Sequence, residues 1–150
     1  MELKELIDGF AAALNIKGMA LNEAGIAAFE ADGMLVRITE QAAERRFLLE
    51  GGIGAPPPEG RDQFERALLK LNAALVSTSG LAVVLDKEDE YVLKALWDYA
   101  NLSLEDFAEK IESFLNALER VRGLLGSFVP VCKQSAAESE DINRTAFMQV

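Results

Sequence analysis

The chain has 150 residues, half of them apolar, with 25 acidic against 15 basic residues and a formal net charge of −10. That length and apolar content suit one domain with a real core and exclude a disordered chain. The acidic balance is the wrong sign for displacing counterions from nucleic acid or for settling on anionic lipid, so neither is an expected partner.

The opening "ELKELIDGFAAALN" places Leu3, Leu6, Ile7, Phe10 and Leu14 on one helical stripe. Two glycines and an asparagine in "KGMALNEAG" break it. "IAAFEADGMLVRITE" then reads as a hairpin centred on Asp32-Gly33, because Asp-Gly accepts the positive φ angles of a type I′ turn. Met34, Val36 and Ile38 share one strand face, and "RRFLLEG" follows as a third strand. "GGIGAPPPEG" must be a loop, since three consecutive prolines supply no amide hydrogens.

Asp62, three residues before Glu65, suggests the N-cap of a second helix. That helix carries two apolar faces, Phe64, Leu68, Leu71 and Leu75 on one and Leu69, Ala73 and Val76 on the other, which predicts burial on two sides. "LAVVLD", the acidic turn "KEDE" and "YVLKALWDY" form a second hairpin, with Tyr91, Leu93, Ala95 and Trp97 on one face. Ser103, followed by Asp106, starts the last helix, whose apolar residues Leu104, Phe107, Ile111, Leu115 and Leu118 return to helical spacing. It should end near Gly123 or Gly126. The sequence therefore predicts one α+β domain over residues 1–128, in the order α-β-β-β-α-β-β-α, with three helices and a twisted antiparallel sheet. Residues 129–150 are expected to be a mobile C-terminal tail, dispensable for folding.

Residues dressed for catalysis are missing from this pattern. Histidine is absent, which removes the commonest general base and zinc ligand. Cys132 falls in the tail as an incidental thiol, and as the single cysteine it permits no internal disulfide. The glycine-rich loop lacks the Lys-Ser/Thr ending of a phosphate cradle, and "DKEDE" lacks the ligand spacing of a calcium loop. No enzyme, metal or cofactor is expected. The N-terminus has no basic region leading into an apolar core, and no apolar run reaches the ~18 residues of a membrane span. The expected setting is the cytoplasm.

The apolar first helix, "AAFEADGMLVRI", the two-faced "FERALLKLNAAL", the hairpin "LAVVLDKEDEYVLKALW" and "LSLEDFAEKIESFLNALERV" resemble the class I type III secretion chaperones of the Tir-chaperone family. The resemblance covers about residues 1–128 and lies in organisation, not in a catalytic motif. It implies a cytoplasmic homodimer that keeps the N-terminal segment of one secreted effector extended and secretion-competent, without ATP hydrolysis. On that reading the dimer contact lies on helix two, through Phe64, Leu68, Leu71 and Leu75 or through Leu69, Ala73 and Val76. The effector would lie in a groove of Leu3, Ile7, Phe10, Val36, Ile38, Phe47 and Leu49, partly by adding a strand. Two other readings compete: an acidic α+β dimeric adaptor or regulator unrelated to secretion, and a small Asp/Glu-dependent enzyme.

Overall fold

In a computed structural model, residues 1–128 are described. The expectations for the tail and for Cys132 lie outside the described residues. The elements are α1 (Leu3–Leu14), β1 (Ile26–Ala31), β2 (Met34–Gln41), β3 (Arg46–Gly54), α2 (Arg61–Ser79), β4 (Leu81–Leu85), β5 (Tyr91–Asp98) and α3 (Leu104–Gly126), with a short 3₁₀ turn at Ala42–Glu44. This is the α+β order the sequence predicts.

Local chemistry explains most boundaries. Asn15 closes α1 in the left-handed conformation at φ 56°, which asparagine tolerates better than most residues. Asp32 and Gly33, at φ 50° and 78°, make the two-residue turn between β1 and β2, closed by the pair Ala31↔Met34. Ser103 caps α3 by accepting the Asp106 N–H at 3.0 Å. Two expectations are corrected. The N-cap of α2 is Gly60, not Asp62, which sits inside the first turn and favours the positive end of the helix dipole there. Gly51–Gly54 of the expected loop extend β3 by pairing with β5, so the loop begins at the prolines' edge.

The five strands form one antiparallel sheet in the order β1-β2-β3-β5-β4. Because α2 carries the chain from β3 to the far position, β5 returns between them and β4 is left on the rim. The strands alternate apart from a register shift between Gly52 and Gly54, and one face is buried: Phe29, Val36, Ile38, Phe47, Leu49, Tyr91, Leu93 and Val83 all point towards the helices. Phe107 of α3 joins the layers, with its ring 5.7 Å from Phe10 of α1 and 5.5 Å from Phe47 of β3. Gly51 is the close-approach point. A Cβ there would stand 2.6 Å from Leu118 Cδ2 and 3.2 Å from Phe114 Cε1, so the missing side chain lets α3 settle on β3. Among the described residues, no helix covers the opposite face of the sheet.

Candidate functional site

The structure buries the whole expected effector groove. Leu3, Ile7, Val36, Ile38, Phe47 and Leu49 have no accessible surface, and Phe10 retains almost none. Here α3, 23 residues long, runs across β3 and also receives α1, so both flanks of the α1 stripe are covered. These seven residues are core in the described chain, and the open groove built on them is corrected.

Accessible surface lies at the sheet margins and on its bare face. Antiparallel partners alternate between pairs that exchange both backbone bonds and pairs whose groups point away. The Glu40 N–H donates to the Gly25 carbonyl at 2.7 Å, and the register continues through Ala27↔Ile38, Phe29↔Val36 and Ala31↔Met34. Residues 26, 28 and 30 of β1 therefore aim N–H and C=O out of the sheet. Asn22 occupies both groups of Ile26: its Oδ1 accepts the Ile26 N–H at 3.0 Å, and its own N–H donates to the Ile26 carbonyl at 2.9 Å. Among the described residues, nothing pairs with the outward backbone groups of Ala28 and Glu30. Ile16, Leu21 and Ala31, partly buried against the core, line this side of the molecule.

The β4 margin differs. Asn72 of α2 donates through Nδ2 to the Val83 carbonyl at 3.0 Å and accepts the Val83 N–H at 2.7 Å. Neither margin was read from the sequence. Asn72 did leave a signal, since a carboxamide between Leu68 and Leu75 on an inward stripe needs a partner once buried.

On the bare face, Glu50 stands between Arg37 at 3.0 Å and Lys94 at 3.2 Å, tying β2, β3 and β5 across strands. Around them lies a shallow depression of about 410 Å³ that Leu35 and Val92 help line. Leu35 is 63% exposed.

The two faces of α2 are now distinguished. Phe64, Leu68 and Leu75 are buried, Leu71 partly so, while Leu69 is 70% and Val76 56% exposed, with Ala73 exposed between them. In the single chain, burial on one side replaces the two-sided burial expected. On the side of the buried stripe, away from Leu69 and Val76, a groove lined by Leu75, Thr78, Glu109, Glu112 and Ala117 separates α2 from α3.

The densest ionisable cluster joins α2 to the β4–β5 turn: Arg61 bonds Glu65 at 2.7 Å and Asp89 at 2.9 and 3.1 Å, and the Tyr91 hydroxyl donates to Glu65 at 2.8 Å. The Tyr91 hydroxyl and Arg61 hold Glu65 below the usual carboxylate range, and Arg61 does the same to Asp89. A general acid or base needs the opposite displacement, towards the working pH. Burial, then Glu65, pushes the Tyr91 hydroxyl up. The cluster fastens a helix to a hairpin. Among the described residues no group of three or more His, Cys, Asp or Glu could hold a metal ion, and no helix is long and apolar enough to cross a membrane.

Comparison with known proteins agrees with this architecture. A search of curated protein sequences finds no match. Among solved structures, a chain of the ExsC–ExsE complex is similar with a TM-score of 0.70 at 24% identity, covering 83% of this chain and 97% of that one. A chain of the HopA1–SchA chaperone–effector complex is similar at 0.67 and 20% identity, covering 80% and 92%. A chain of the Yersinia pestis type III secretion chaperone SycH, in complex with a fragment of YscM2, is similar at 0.63 and 20% identity, covering 79% and 98%. At such identities these likenesses establish the fold. The sequence itself matches the Tir chaperone protein family, CesT, over residues 5–122. That span takes in all five strands, α2 and most of α1 and α3, and the chain belongs to the Tir chaperone protein (CesT) family.

Proposed function

We propose that this protein is a cytoplasmic, non-catalytic type III secretion chaperone that works as a homodimer and keeps an N-terminal segment of a secreted effector extended. Family membership supports the role, and one observation supports the mode: β1 offers unpaired backbone at Ala28 and Glu30. An extended segment laid along that margin gains ladder hydrogen bonds and directs alternate side chains to the helical side, near Ile16, Leu21 and Ala31. Leu3, Ile7, Phe10, Val36, Ile38, Phe47 and Leu49 then act as the rigid floor beneath the site. Ordering an extended segment opposes binding, so the contact must be long to be tight.

The dimer is assigned to the outer face of α2. Leu69, Ala73 and Val76 offer exposed apolar surface, with Arg66 and Lys70 beside them. A second copy's α2 laid against this face would bury those apolar side chains, and a specific interface of this class buries roughly 800 Å² per partner.

The test is co-expression with N-terminal segments of type III secreted proteins from the same genome, each tried singly. Proline at Ala28 and Glu30 removes donors that face out of the sheet, so β1–β2 bonds survive. The wild-type chain should retain one such segment as a dimer. The double proline variant should stay dimeric and lose capture at least about tenfold, or 1.4 kcal/mol. Leu69→Asp should dissociate the dimer in light scattering. Undiminished capture by the proline variant overturns the β1 site, and a wild-type chain that retains no secreted polypeptide overturns the role.

A further inference from the structure

A sheet has two margins, and strand addition at both would let one chaperone pair with effector at one side and with another copy of itself at the other. We infer that Asn72 reserves strand addition for β1 by acting as a built-in neighbour strand for β4. In the register Leu81↔Ala95, Val83↔Leu93 and Leu85↔Tyr91, the Asp86 N–H donates to the Glu90 carbonyl at 2.8 Å. By alternation, residues 82 and 84 bond to β5, and residues 81, 83 and 85 face outwards.

The Asn72 carboxamide presents one donor and one acceptor side by side, the pattern an incoming strand would offer, and both are spent on Val83. Val83 is the central residue of a five-residue strand. An incoming strand loses its middle pair and keeps at most an isolated contact at either end. Proteins commonly guard their rims against such pairing. Here the guard is a side chain from the same helix that presents Leu69 and Val76, so Asn72 is a specificity-determining residue and not a contact for effector.

The proposal deepens the strand-addition reading above, but its test uses the full chain without effector, so either can fail alone. Amide hydrogen exchange should protect Val83 in the wild-type protein about tenfold or more over Ala28 and Glu30. Asn72→Leu keeps the bulk and removes both polar groups. Its Val83 protection should fall to the level of Ala28 and Glu30, and sedimentation velocity should show concentration-dependent association beyond the wild-type state. Adding Val84→Lys, a charge on the bare face of the same strand, should reverse the association without restoring Val83 protection. A merely structural Asn72 would give no such reversal. Wild-type exchange at Val83 as fast as at Ala28 overturns the proposal even if Asn72→Leu does not fold. A folded Asn72→Leu with wild-type assembly at every concentration, or association that Val84→Lys leaves untouched, overturns it as well.

Discussion

The two margins of this sheet use the same chemistry to opposite effect. Each has one residue whose outward backbone groups are taken by an asparagine: Ile26 by Asn22, and Val83 by Asn72. Asn22 acts at the first residue of β1, where it ends the strand and leaves Ala28 and Glu30 bare. Asn72 acts in the middle of β4 and divides it. Position along the strand decides whether one carboxamide terminates a ladder or forbids its extension. Burial differs too, since the Asn72 bonds are partly shielded and those of Asn22 are exposed.

The largest expected effect comes from breaking what both margins share. Gly51→Val forces a branched side chain against Leu118 and Phe114, both fully buried and unable to retreat. Overpacking of this kind costs about 3 kcal/mol. The thermal midpoint should fall by several degrees, and exchange protection should weaken at Val83 and Ile26 alike. Loss confined to one side would mean that the two halves of the sheet do not share one cooperative core.

A smaller effect separates the margins. Asn72→Ala leaves shielded Val83 groups unpaired and should destabilise by about 2 kcal/mol, whereas water replaces the exposed Asn22 bonds and Asn22→Ala should cost about 0.5 kcal/mol. Chemical denaturation of the two variants measures the difference. Equal losses would remove burial as the reason that the margins behave differently.

The smallest effect appears only at high pH. Each half of the sheet holds a buried tyrosine on a carboxylate: Tyr91 on Glu65 beside β4, and Tyr99 on Glu40 of β2 at 2.6 Å. Burial, then the Glu40 bond, pushes the Tyr99 hydroxyl up to about 12. In the unfolded chain it ionises near ~10. A raised value means that the unfolded state releases the proton first, so this contribution is complete below pH ~10 and is lost as pH rises to about 12. Tyr99→Phe and Tyr91→Phe should each lower stability at neutral pH yet show a shallower alkaline fall than wild type in melts across that window. Slopes identical to wild type in both variants would place the alkaline transition elsewhere.

Local rules in the sequence determined a good deal of this molecule. The Asp32-Gly33 turn, the Ser103 cap and the 3.6- and 2-residue periods all act within a few residues, and the elements they mark appear in the expected order, although Gly51–Gly54 of the expected glycine-proline loop are strand. The resemblance to secretion chaperones was legible in that order and matches the family to which the chain belongs. Periodicity also showed that α2 has two apolar faces, but not which one turns inwards, because that depends on where β4 lies beneath it. The same limit hid the functional surface. Apolar pattern marked Leu3, Ile7 and Phe10 as a stripe, yet only the path of α3 over the sheet decided that the stripe is sealed. The status of Ala28, Glu30 and Asn72 depends on strand order and on the one-residue parity of backbone bonding. Both are set by pairing between segments distant in sequence, so no window of neighbouring residues encodes them.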